Sequence, residues 1–520
     1  MSARPGESFT DGTLWALIER RALETPDDLM AVDEMKRRLS FGEYRRMAER
    51  AAAGLSALGV REGVAVSWQL PTWLESLVLV GALSRLGAVQ NPVLPIYRDR
   101  ELRFMTAQTG ARLLVVPSVW RGFDFRAMAD SIAADRDDLE VLVVDRALPD
   151  ADPSLLPPAP PVPGSPAGLP TAWVFYTSGT TADPKGARHT DATIAAAAVA
   201  MNVALDLRAE DRSALVFPFT HIGGITWLFS SLMTGCANVS VERFDPIETV
   251  EVLSDEDVTL AGAGTPFHLA YLEAQRRQPG KPIFALVRAF PGGAAPKPPQ
   301  LHYDLKREVG GVGIVSGYGL TECPILAMNA VGDPDDKLAN TEGRASPGVQ
   351  LDVVSVDGVP VGAGQEGELR VKGPQLFRGY VDASLDAEAL DERGFFRTGD
   401  LVVVDDDGFV TITGRLKDVI IRKGENISAK EVEDLLYQHP KVADVAVVGL
   451  PDPALGERCC AVVATKDGCE PLELAEIVAF LTGQGLAIQK APEQLELVDV
   501  VPRNPTGKTL KHELRQRLSS

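Results

Sequence analysis

The chain predicts an α/β fold, with a large N-terminal domain of two α/β lobes plus a small β-barrel-like subdomain, and then a small α+β domain. Three observations predict it. Helical and extended hydrophobic periods alternate from residue 41 to about residue 325, the pattern of parallel strands covered by helices. Residues 348–412 are strand-rich, with many Gly and Asp turns. From Asp418 onward the pattern becomes a mixed one.

Residues 41–58 predict an amphipathic helix with Tyr44, Met47, Ala51 and Leu55 on its apolar face. A strand at 64–68, a helix at 73–86 and a strand at 89–94 follow, and the cycle repeats through a strand at 140–144. Residues 149–170 are dense in proline and lose apolar periodicity, so they predict an exposed, semi-stiff linker. The β-rich subdomain is expected over about 330–412. Beyond it, Ser428-Ala429-Lys430-Glu431 has the form of a capping box that opens a helix, with Val432, Leu435 and Leu436 as its apolar face. The expected division is 1–415 and 416–520, and a segment of about 105 residues is large enough to hold its own core.

Lys plus Arg number 52 and Asp plus Glu number 72, for a net charge of −20 in 520 residues. A pI near 4.9 argues against nucleic-acid binding, which needs a basic face. Any site for a phosphorylated small molecule must therefore build its own positive field. Hydrophobic content of 45% and charged content of 24% are those of a globular chain. The five cysteines are scattered, without a CxxC pair, which predicts neither a disulfide scaffold nor a zinc knuckle. The first residues carry no apolar leader, and apolar runs such as 77–83 are too short to span a bilayer. A cytoplasmic protein without membrane spans is expected, as a monomer or homodimer.

Four short motifs carry chemistry. Thr177-Ser178-Gly179-Thr180-Thr181-Ala182-Asp183-Pro184-Lys185 follows an apolar strand. Its backbone N–H groups, hydroxyls and ammonium can wrap a polyphosphate, although it is not a Walker A loop. Gly317-Tyr318-Gly319-Leu320-Thr321-Glu322 lets backbone approach a flat ligand and offers a carboxylate for Mg²⁺. Asp400, within Arg397-Thr398-Gly399-Asp400, can accept two ribose hydroxyls, and Arg415 can support the same group. Asn504-Pro505-Thr506-Gly507-Lys508 places a lysine in a turn near residue 510. Singly, each is also an ordinary solvated turn.

Together and in this order, the motifs resemble those of the adenylate-forming superfamily: acyl-CoA synthetases, amino-acid adenylation domains and beetle luciferases. The resemblance spans about residues 15–516 and is greatest to medium-chain and cyclohexanecarboxylate-type acyl-CoA ligases. It implies ATP, Mg²⁺ and CoA as cofactors and a mobile C-terminal domain with its hinge at Lys417. It implies that Thr177, Ser178, Gly179, Thr180, Thr181 and Lys185 bind phosphate, with Thr180 and Glu322 holding the metal. Gly292, Gly293, Ala294, Gly317, Tyr318, Gly319 and Thr321 would take the adenine side, and Asp400 and Arg415 the ribose. Lys508 matches the catalytic lysine, with Glu322 and His221 as its catalytic companions. The phosphate loop departs from the family pattern at Ala182, where glycine is usual.

Pro218-Phe219-Thr220-His221-Ile222-Gly223-Gly224 resembles the acyl-CoA synthetase form of an aromatic-gate segment. It lacks the Asp that amino-acid adenylation domains use to hold an ammonium, which implies an uncharged acyl tail. His221, Trp227, Phe267, Gly317 and Phe219 are the expected acyl-pocket residues. CoA is the expected acceptor, and a separate carrier protein or a non-catalytic adenylate binder are the alternatives. A binder without turnover would be expected to lose Lys508 or Glu322, and both are present.

Overall fold

The computed structural model describes all residues except 1–5, 7, 163, 165–167, 178–183, 294–296, 356, 423–424, 454, 505–507 and 520. The first lobe is built on a six-stranded sheet. Its parallel strands Ala65–Trp68, Val89–Pro92, Leu113–Val116 and Glu140–Val143 are joined by Trp173–Thr177 and its antiparallel neighbour Lys185–His189. The intervening helices Leu74–Arg85, Asp99–Thr109 and Phe125–Ala133 follow the expected α/β alternation.

The second lobe holds two four-stranded sheets. Leu29–Asp33, Arg38–Ser40, Arg212–Leu215 and Ala237–Ser240 form one. Phe290–Gly292, Ile314–Tyr318, Ala327–Met328 and Arg344–Ala345 form the other. Parallel bridges from Ser213 to Leu260 and from Leu260 to Ala289 connect them. One apolar core runs between the lobes, with Trp173 and Phe175 of the first packed with Leu228 and Phe229 of the second.

Two local expectations change and a third gains detail. Helix Phe41–Ala57 is amphipathic, with a complete capping box between Ser40 and Glu43, but Met47 is exposed while Tyr44, Ala48, Ala51 and Leu55 are buried. The 3.6-residue period puts Ala48, not Met47, on the stripe with Tyr44 and Ala51. The proline-rich stretch is exposed or half-buried at its described residues, as expected, and it lies as a strap on the first lobe. Ala151 N–H donates to Arg50 O, Arg85 donates to Pro157 O, and Leu156 and Ala159 pack on the core. Strands before and after this strap belong to the same sheet. The β-rich subdomain is an open antiparallel sheet in the order Gln350–Val354, Glu366–Lys372, Phe396–Val404, Val410–Arg415, and it is not a closed barrel. With four strands and no pairing between the first and last, closure is not reached.

After a short turn at Leu416–Asp418 comes the C-terminal α+β segment. Its sheet contains Val419–Arg422, Glu425–Ser428, Val442–Asp452, Gly456–Thr465 and Gln494–Leu497, packed by Ala429–Leu436 and Leu474–Gly483. Ser428 caps its helix by accepting from Glu431 N–H, but the Glu431 carboxylate turns to Lys490 instead of closing the box. Among the described residues, no helix is long and apolar enough to cross a membrane.

One buried carboxylate joins three elements of the large domain. Asp191 accepts from Leu14 N–H at 2.8 Å and from Trp173 Nε1–H at 2.7 Å, and it opens helix Asp191–Ala204. Asp191→Ala leaves two buried donors unpaired and should cost about 2–4 kcal/mol. Its denaturant midpoint should fall by the corresponding amount, and an unchanged midpoint would contradict this role.

Candidate functional site

The carboxyl ends of strands Trp173–Thr177, Phe290–Gly292 and Ile314–Tyr318 open toward a common crevice, where α/β sheets usually bind ligands. Two adjoining cavities occupy it, one of about 550 Å³ and one of about 240 Å³. Both are lined by Gly293, Gly317, Gly319, Arg415, Lys417, Asn504 and Lys508. Lys508 therefore stands at their junction, brought there from the C-terminal segment.

Glycine is required where the strand ends crowd. A Cβ on Gly293 would meet Gly317 O at 2.4 Å, and a Cβ on Gly292 would meet the buried His268 ring at 2.7 Å. The backbone is thus bare at the cavity wall.

The smaller cavity is lined by Tyr318, Asp400, Arg415 and residues of the C-terminal segment. Tyr318 Oη donates to Asp400 Oδ2 at 2.5 Å, and Arg415 Nε lies 2.7 Å from Asp400 Oδ1. The Arg415 contact is electrostatic and not aligned as a hydrogen bond, so the buried Oδ1 keeps free acceptor capacity. Burial and the Asp400 charge push the Tyr318 phenol well above its ordinary pKa, so it stays a donor.

The larger cavity has a polar end and an apolar end. At the polar end stand Thr177, Lys185, Thr321 and Glu322. Tyr380 Oη donates to Glu322 Oε1 at 2.7 Å. The imidazole of His189 spans Thr193 Oγ1 at 2.9 Å and Thr321 O at 2.8 Å, which fixes the Thr321 backbone. His221 caps helix Ile222–Thr234: its Nδ1 accepts from Gly223 N–H at 3.1 Å. Burial lowers the His221 pKa to about 4, so the ring is neutral and Nε2 carries the proton. The apolar end is lined by Met201, Leu205, Phe217, Trp227 and Phe267. All its charged lining side chains, Lys185, Glu322, Arg415, Lys417 and Lys508, belong to the other end or the junction.

Burial lowers the Lys508 ammonium to about 8, reinforced by the Arg415 and Lys417 charges and opposed by Asp400 and Asp418. Lys417 is lowered for the same first reason, and then by Arg415. Asn504 Oδ1 accepts from Lys508 N–H at 2.9 Å, and Asn504 N–H donates back to Lys508 O at 2.8 Å. This paired contact ties Lys508 to Asn504.

The structure brings together Thr177, Lys185, His221, Trp227, Phe267, Gly292, Gly293, Gly317, Tyr318, Gly319, Thr321, Glu322, Asp400, Arg415, Lys417 and Lys508. Ser178, Gly179, Thr180, Thr181, Ala182 and Ala294 lie outside the described residues. Phe219 does not reach the cavity. It is buried against Trp68 in the core, and Phe217, in the irregular segment after strand Arg212–Leu215, takes the wall position. Tyr380 and Asn504 are site residues that the motifs did not single out. Asn504 sits inside the lysine motif and was legible there; Tyr380 had no local signal.

A family model described as AMP-binding enzyme matches residues 18–381, and one described as AMP-binding enzyme C-terminal domain matches residues 431–508. The medium-chain fatty-acid–CoA ligase of Escherichia coli is 32% identical over 522 residues, covering 97% of this chain and 90% of that protein. The salicyl-AMP ligase / salicyl-S-ArCP synthetase of Mycobacterium tuberculosis is 33% identical over 536 residues, covering 99% and 93%. Among solved structures, ATP-bound MatB from Rhodopseudomonas palustris is similar with a TM-score of 0.85 and 27% identity, covering 97% of this chain and 99% of that one.

The charges around Lys508 make its titration measurable. Amine labelling read at Lys508 by mass spectrometry should show a midpoint near pH 8. Arg415→Met should raise that midpoint and Asp400→Asn should lower it further. A midpoint at the ordinary lysine value in all three proteins would refute the desolvated geometry.

Proposed function

The chain belongs to the family of AMP-binding enzymes, and from that premise we propose that it is an ATP-dependent acyl-CoA ligase acting on a medium-chain, alicyclic or aromatic acid. The observation that carries this reading is Lys508 at the junction of two cavities, the larger with a polar and an apolar end and the smaller lined by Tyr318, Asp400 and Arg415. An acid seated at the apolar end of the larger cavity would meet there a nucleotide whose phosphates take the polar end and whose ribose lies toward Asp400 in the smaller cavity.

In the first half-reaction a carboxylate oxygen attacks the α-phosphorus of ATP. The bond to the β-phosphate bridging oxygen breaks, and pyrophosphate leaves with the electron pair. Two anions approach each other, so fixed positive charge lowers the barrier. Lys508 supplies it at the junction, and Lys185 at the phosphate end. Nε2–H of His221 is a donor that can orient the carboxylate. Asp400 Oδ1, an acceptor with spare capacity, suits the ribose hydroxyls, and Arg415 holds that carboxylate in place.

The residues fit Mg²⁺ bound with phosphate. Among the described residues no group of three or more His, Cys, Asp or Glu forms a protein cage. Glu322 offers one carboxylate, held by Tyr380 through Oε1, which is the donor set of a magnesium ion shared with substrate phosphates. Such an ion neutralises phosphate charge when bound, and Glu322 with Thr180 would hold it.

In the second half-reaction the CoA sulfur attacks the acyl carbonyl carbon, and AMP leaves as the carbonyl–phosphate oxygen bond breaks. Lys417, in the short turn between the β-rich sheet and the C-terminal segment, is the proposed hinge for exchanging the two steps. The apolar end of the larger cavity, without charged side chains, supports an uncharged acyl tail. The whole larger cavity, of about 550 Å³, has the size of a small-molecule site. Delivery to a separate carrier protein is the second reading, favoured by similarity to the salicyl-S-ArCP synthetase. Incubation with ATP, CoA and graded acids tests the two: acyl-CoA with AMP supports the first, and acyl-AMP without thioester supports the second.

Lys508→Ala should lower acid-dependent ATP–pyrophosphate exchange about 10²–10³-fold, while thioester formation from supplied acyl-AMP survives. Wild-type exchange in that variant would eliminate the lysine's role. Lys417→Pro restricts φ to about −65° and should slow one half-reaction at least tenfold more than the other, measured separately. Equal losses would argue against a hinge at this residue.

A further inference from the structure

Ile325 has φ of +49°. Left-handed backbone at a β-branched residue is strained and persists only where its surroundings enforce it. Among the described residues, the other non-glycine positions with positive φ, Lys36, Arg121, Arg146, Asp206 and Asp257, are not β-branched and line neither cavity. Ile325 lines the larger cavity. Its Cδ1 lies 3.5 Å from where a Cβ on Gly317 would be, and Gly317 borders both cavities. The strained side chain therefore narrows the larger cavity beside the junction.

The enforcing contact is a buried amide. Gln375 is fully buried, and its Nε2–H donates to Ile325 O at 3.0 Å. Its Oε1 has no hydrogen-bond partner among the described residues, so the side chain is retained despite an unpaired acceptor. The segment that carries it grips the same loop twice more: Phe377 N–H donates to Glu322 O at 2.8 Å, and Tyr380 Oη donates to Glu322 Oε1 at 2.7 Å. It is itself anchored to strand Lys185–His189 through Arg378 N–H to Arg188 O and Val381 N–H to Gly186 O.

We propose that Gln375 is a positioning residue that holds Ile325 in its left-handed conformation, and that Ile325 selects acids narrow at the carbons next to the carboxyl group. Straight-chain acids are then favoured over acids with a saturated ring at that position. This rests on the acyl-activating function proposed above and names its substrate class.

The test combines exchange kinetics with thermal stability. In ATP–pyrophosphate exchange, the unmodified protein should prefer hexanoate to cyclohexanecarboxylate in kcat/KM. Ile325→Gly should reduce that preference about tenfold or more. Gln375→Leu should reduce it in the same direction, acting through KM for the acid, with kcat for saturating hexanoate within about twofold. Gln375→Met serves if the leucine variant does not fold. Stability gives a readout that needs no turnover. Glycine adopts positive φ without strain, so Gln375→Leu should lower Tm by a few degrees alone and by much less in the Ile325→Gly background. An unchanged acid preference in both single variants overturns the selective role. An equal Tm loss in both backgrounds overturns the clamp. Absence of exchange with both acids in the unmodified protein overturns the selectivity, and absence with every graded acid overturns the acyl-activating function as well, whereas the Tm comparison then judges the clamp alone.

Discussion

The carboxylate of Asp400 receives the hydroxyl of Tyr318 and the charge of Arg415, and three parts of the chain converge on it. Tyr318 ends a strand of the second lobe. Asp400 and Arg415 face each other on the last two strands of the β-rich sheet. Two residues after Arg415 comes Lys417, in the turn into the C-terminal segment, and that segment returns Lys508 to the same neighbourhood. An isolated buried carboxylate would be costly. Here the cost is offset by a phenol and a guanidinium whose own positions define the smaller cavity.

The cluster of like charges beside it works against local stability. Arg415, Lys417 and Lys508 line one cavity, and burial already disfavours both lysine ammonium groups. Such concentrated positive charge in a chain of net charge −20 is expected where an anion is to be bound. The acidic composition and the basic junction are thus compatible, because the field is local.

Much of this was legible from the sequence, for identifiable reasons. The alternating elements of the first lobe follow from hydrophobic period alone, and the N-cap at Ser428 is short-range. The cavity residues Gly317, Glu322, Asp400, Arg415 and Lys508 sit in compact motifs, so their types and spacing announce them. What escaped depends on distant contacts. Phe217 and Phe219 are both aromatic and lie in the irregular segment after strand Arg212–Leu215, so only the fold decides which faces the cavity. Tyr380 and Gln375 act through hydrogen bonds to residues more than 45 positions away, and no local pattern marks them. The openness of the β-rich sheet is likewise a matter of which strands pair.

The proline-rich strap has a consequence for how the large domain is held together. Strands on either side of it lie in one six-stranded sheet, with Gln90 paired to Trp173 across the divide. The covalent connection there contributes little that the sheet and the shared core do not already supply. A chain opened within the strap would remain one folded body, its two pieces held by main-chain pairing and buried aromatic surface. The molecule is in this sense built as two complementing fragments, and the strap is a natural seam for dividing it into a reporter whose halves regain function on meeting.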